Sequence, residues 1–77
     1  MEYLNEKAFL IAFGKNLRMV RIAQGYTQAQ LANDVGVEIS QISRIERGII
    51  NTSIGNCNAI SNVLKISVKE LFDFTPS

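Results

Sequence analysis

Nothing before Pro76, the only proline, forbids a helix, and apolar residues recur at spacings of three and four along most of the chain. From Asn5 to Gln24, Leu10, Phe13, Leu17, Val20 and Gln24 keep this spacing, with Leu17 and Val20 as its central core positions. Gly14 lies within the stretch at a cost of roughly 1 kcal/mol relative to alanine, which makes a break there an expectation. Gly25 stops this helix. Thr27-Gln28-Ala29-Gln30 has the form of a capping box, opening a short helix with Leu31, Ala32 and Val35 on its inner side, ended by Gly36. A third helix runs to Arg47 and stops at Gly48. Ile54, Cys57, Ile60 and Leu64, with Val63 alongside, form the apolar line of a fourth. Ser67 to Glu70 reads as a second capping box, opening a last helix through Leu71, Phe72 and Phe74. The expectation is one all-α domain of five helices over residues 1–77.

At 77 residues such a domain is near the lower limit for folding on its own core, so association with a second copy is a natural source of extra stability. A composition 47% hydrophobic and 19% charged is that of a folded globule. A lone cysteine, Cys57, forms no internal disulfide and points to a reducing, cytoplasmic setting; at core spacing it reads as a small buried hydrophobe. No apolar run approaches the ~18 residues of a membrane span, and the acidic N-terminus does not resemble a signal peptide. There is no histidine, metal-ligand spacing or glycine-rich phosphate loop, so an enzyme, a metal or a cofactor is not expected. The formal net charge is +1, but from Lys15 to Arg47 five basic residues face three acidic ones, a mildly basic centre.

The tight link from Leu31–Val35 through Gly36 into Glu38–Arg47 has the spacing of a helix-turn-helix over residues 28–47, whose second helix is shaped to enter a major groove, and equally of an ordinary helical hairpin in a small bundle. The residues sharpen this. GYTQAQLANDVGVEISQISRIERG, Gly25 to Gly48 with Arg21 before it, resembles the phage-repressor and Cro-type (XRE) family of helix-turn-helix regulators. The likeness rests on Arg21, Gly25, Thr27-Gln28, Leu31-Ala32, Gly36-Val37, Ile42 and Ile45-Glu46-Arg47-Gly48, and continues through Ile60–Ser67 and Glu70-Leu71-Phe72. It implies a lambda-repressor-like fold and a transcriptional regulator that binds operator DNA as a homodimer. The chain departs from the family pattern at Ile49-Ile50-Asn51, where a proline is usual. The third helix opens on Val37-Glu38 without a Ser or Thr cap, and residues 1–12 extend the first helix.

By resemblance, the base-reading positions are Glu38, Ile39, Ser40, Ser43 and Arg44. Their chemistry suits the role: Arg44 can fork onto guanine, the serines can bond either kind of base edge, and Ile39 can pack on a thymine methyl. Glu38 can accept from a cytosine amino group, or stand as an acid repelled by phosphate. Gln28, with Thr27 at the start of its helix, is the expected phosphate contact, joined by Arg47, Asn51, Thr52, Lys15 and Arg18. Glu46 lies on the inward side of the third helix, where a lone carboxylate is costly, and the resemblance pairs it with Arg21. Ile49, Ile50, Phe72 and Phe74 are more apolar than loops and tails require: they serve a dimer contact or pack on the N-terminal segment. A protein partner, such as a toxin bound by an antitoxin-like module or RNA polymerase, is the alternative reading.

Overall fold

The computed structural model describes residues 5–75, in which five helices follow one another: α1 (Glu6–Ala23), α2 (Gln28–Val35), α3 (Ile39–Glu46), α4 (Ile54–Leu64) and α5 (Val68–Leu71). Residues 1–4 of the expected N-terminal extension and Pro76 lie outside the described residues. The all-α, five-helix expectation is borne out, and the part of the extension that is described forms the opening of α1.

Local chemistry sets most helix boundaries. Asn5 caps α1 by accepting from the Ala8 N–H at 2.8 Å. Thr27 and Gln30 close a complete capping box on α2, with bonds of 3.0 and 2.8 Å. Ser53 caps α4 through the Asn56 N–H. The second expected box fails: Ser67 makes no side-chain cap bond, and α5 ends at Leu71 without reaching Phe72 or Phe74. A single turn has little to gain from a cap when its position is set by packing. Here Asn16 of α1, buried, donates from Nδ2 to the carbonyls of Glu70 and Leu71 at 2.8 and 2.9 Å and so satisfies the end of α5.

The core comprises Phe13 and Leu17 of α1, Leu31 and Ala32 of α2, Ile42 and Ile45 of α3, Cys57, Ile60 and Leu64 of α4, and Leu71 of α5. Burial pushes the Cys57 thiol pKa up, in keeping with a packing role. Two periodicity readings are corrected. Val20 only flanks the core, half-buried. Ile54, at the first position of α4, is 88% exposed, because the other helices cover α4 only from Cys57 onward.

Gly14 does not break α1. The helix is continuous through it, and a Cβ there would stand 2.5 Å from the Glu46 carbonyl oxygen and nearer still to that of Ile45. The glycine lets α1 and the end of α3 cross at backbone contact. The same crossing is tight from the other side, where a Cβ on Gly48 would stand 2.6 Å from Ile11 Cα.

Among the described residues one left-handed position carries a side chain: Lys65, which ends α4 at φ 61°. A Cβ in that conformation costs about 1–2 kcal/mol, part of which glycine returns as entropy of the unfolded chain. Lys65→Gly is therefore expected to stabilise the protein by about 0.5–1 kcal/mol, read as a higher urea midpoint at unchanged m-value.

Candidate nucleic-acid interface

α3 is divided sharply around its axis. Ile42, Ile45 and Glu46 are buried, whereas Ile39 is half exposed and Ser40, Arg44 and Arg47 are exposed. Ser43 and Gln41 are half-buried on the flanks. The outward residues thus combine two forked cations, a hydroxyl and a branched apolar side chain, with a second hydroxyl, Ser43, on the flank, a set able to read donor, acceptor and methyl positions on base edges. Glu38 caps α3 from extended backbone with no side-chain bond, leaving its carboxylate exposed beside Ile39.

A buried polar network fixes this surface. Arg21 donates from Nε to Glu46 Oε2 at 2.6 Å, from Nη2 to Oε1 at 3.0 Å, and from Nη1 to the Tyr26 carbonyl at 2.8 Å. Glu46 Oε1 also accepts from Gln28 Nε2 at 3.0 Å. One carboxylate at the end of α3 therefore ties α1 to the first residue of α2, and Arg21 itself adds the loop between them. Both charged residues are over nine-tenths buried, so the guanidinium fork and the amide replace water as the partners of the carboxylate.

The remaining phosphate candidates divide. Gln28 stands at the start of α2 with its amide engaged by Glu46 through one N–H, leaving the other donor free. The Thr27 hydroxyl serves the cap. Lys15 and Arg18 are exposed on α1, and Arg47 is exposed with Nε donating to the Ser43 carbonyl at 3.4 Å. Thr52 stands apart: its hydroxyl is buried without a partner, and Thr52 and the exposed Asn51 line a largely apolar hollow with Phe9, Phe13 and Phe72. A hydroxyl so placed does not face the surface that the other phosphate candidates share.

The apolar quartet also divides. Phe74 is half-buried, its ring 5.5 Å from that of Phe9, and Phe72 packs on Phe9 and Phe13 with centroids 6.4 and 5.0 Å away. Ile50 packs on the core. Of the two uses open to these residues, packing on the N-terminal segment accounts for Phe74 and part of Phe72. Ile49 stays 58% exposed. Asn33, Glu38 and Gln41 border an open cleft of about 500 Å³ at the turn between α2 and α3.

The helix-turn-helix family model matches residues 17–71, which include all of α2, α3 and α4. The chain belongs to the helix-turn-helix family of DNA-binding transcriptional regulators. Among curated relatives, control protein C.BamHI of Bacillus amyloliquefaciens is 36% identical over 66 residues, 84% of this chain and 82% of the relative. Among solved structures, the restriction-modification controller protein C.AhdI from Aeromonas hydrophila superposes with a TM-score of 0.79 at 38% identity, over 82% of this chain and 96% of that one. SinR, the master regulator for biofilm formation, in complex with DNA, gives a TM-score of 0.74 at 37% identity, over 79% and 98%. This chain spans 55% of the length of SinR from Bacillus subtilis. Helix-turn-helix proteins of this family are regulators and not enzymes, and among the described residues no helix is long and apolar enough to cross a membrane.

Proposed function

We propose that this helix-turn-helix chain is a sequence-specific regulator that binds a near-palindromic operator as a homodimer. Two copies of α3 enter successive major grooves about 34 Å apart. The observation that carries the reading is the exposed Ser40–Arg44 face of α3, held in place by the buried Arg21–Glu46–Gln28 network. The relatives support it: one is a control protein, one a restriction-modification controller, and one was solved on DNA. With a formal net charge of +1, a single copy has few phosphate contacts to make, and a linked pair multiplies them.

Selection of bound sequences from random duplex DNA tests this reading. The recovered sites are expected to be two-fold related, with binding that weakens steeply with salt. Arg44→Ala is expected to relax preference at one base position per half-site and to cost about 1–3 kcal/mol there. An unchanged preference with Arg44→Ala would remove α3 from the reading role. A stable complex with a second polypeptide and no salt-dependent DNA shift would favour the protein-partner alternative.

A further inference from the structure

The reading helix opens on an acid and a branched apolar residue, both exposed. Glu38, at the N-cap of α3, makes no cap bond with its side chain and takes no part in the one ion pair among the described residues, Arg21–Glu46. It borders the open cleft between α2 and α3. Ile39, the first residue of α3, is 50% exposed, whereas Ile42 and Ile45 of the same helix are buried. A recognition helix meets base edges with its N-terminal residues, so both side chains stand where a base would be. Each is unfavourable there without a matching group. A carboxylate is repelled by the phosphates, and an apolar side chain gains nothing from displacing water off polar edges.

We infer that Glu38 and Ile39 together read 5-methylcytosine in the operator. The inference rests on the DNA-binding reading above and names a base that its site prefers. On the major-groove edge cytosine presents its N4 amino donor, and the methyl of 5-methylcytosine projects from the neighbouring ring carbon, where thymine carries its own. An acceptor beside an apolar group is the complement of that edge. The other bases each fail part of the match. Unmodified cytosine has the donor and no methyl. Thymine sets its methyl beside the O4 acceptor, adenine sets its donor beside the N7 acceptor, and guanine shows only acceptors there. Every one of those acceptors repels a carboxylate. Splitting the two contacts over neighbouring cytosine and thymine would bring the thymine O4 up to the same carboxylate. Glu38 thus excludes thymine, and Ile39 favours the methyl.

The test is selection by the full chain from two random duplex libraries, one synthesised with cytosine and one with 5-methylcytosine. Binding is then measured to one recovered site carrying cytosine, 5-methylcytosine or thymine at the same position. Burying one methyl against Ile39 is expected to tighten binding about 3- to 5-fold per half-site over cytosine, with thymine the weakest of the three. Ile39→Ala should abolish the methyl preference and keep cytosine ahead of thymine. Glu38→Gln should let thymine bind as well as 5-methylcytosine, because an amide can donate to O4. Both side chains are exposed and Glu38 makes no cap bond, so the variants should keep their helical circular dichroism. Equal binding to cytosine and 5-methylcytosine, with a sequence preference that still depends on Arg44, overturns the inference and leaves the DNA-binding reading standing. A methyl preference that survives Ile39→Ala overturns it as well. The absence of salt-dependent binding to either library removes both readings. Should a variant fail to fold, the three sites compared on the unsubstituted chain decide.

Discussion

Truncating Arg21 to alanine is expected to leave the protein largely unfolded at ambient temperature. The substitution removes two of the three donors on the Glu46 carboxylate and leaves that charge buried with the Gln28 amide alone. Breaking a buried pair from one side costs about 3–5 kcal/mol. A core of this size rarely supplies more than about 3–5 kcal/mol in total. The two magnitudes are comparable, so the loss should be visible as a collapsed melting transition in circular dichroism. Replacing both partners, Arg21→Met with Glu46→Leu, should recover much of it, because the buried charge is gone and apolar side chains of similar length fill the space. The Tyr26 carbonyl and the Gln28 amide would still lack their present partners, so recovery stops short of the original stability.

The double variant also separates holding the fold together from aiming α3. The ion pair joins α1 to the last turn of α3, and Gln28 joins the start of α2 to the same carboxylate. Leu and Met can pack in that space but fix no direction. If the network sets the orientation of the reading helix, DNA affinity in the folded double variant should fall by more than its stability does. Unchanged affinity would reduce the network to a contributor to stability alone.

How far these features could be read from sequence depended on the range of the interactions behind them. Thr27 and Gln30 act within one turn, and the capping box they announce is present; so is the left-handed stop at Gly36. Leu17, Leu31, Ile42 and Ile45 follow from spacing, because each lies within a helix on its inner face. Errors came where a local pattern met a distant partner. Asn16 gave no warning that it satisfies α5, whose carbonyls are remote in sequence. Ile54 continues an apolar line but opens its helix at the rim of the core, where its side chain stays exposed. Thr52 looked like a loop hydroxyl free to meet phosphate, and the linker turns it inward. The Arg21–Glu46 pairing was accessible only through family resemblance, since an inward glutamate shows that a partner is needed without showing which one.

Gly14 sets a local rule against a distant contact, and Gly14→Ala decides between them. Helix propensity alone predicts a gain of about 1 kcal/mol from alanine at this position. The crossing predicts the opposite. The new methyl would meet the backbone of Ile45 and Glu46, with the Glu46 carbonyl carbon 2.7 Å away and its oxygen 2.5 Å. No rotamer change relieves a clash with backbone, so α1 must back away from α3 or the last turn of α3 must open. Overpacking of this kind costs about 1–3 kcal/mol and sometimes more, enough to outweigh the propensity gain. Either response also disturbs Glu46, whose carboxylate anchors the network and whose carbonyl takes the clash. The expected result is a lower urea midpoint together with weaker operator binding by the fraction that remains folded. A raised midpoint would mean that α1 and α3 have room to separate, and the close crossing would then not be what positions the reading helix.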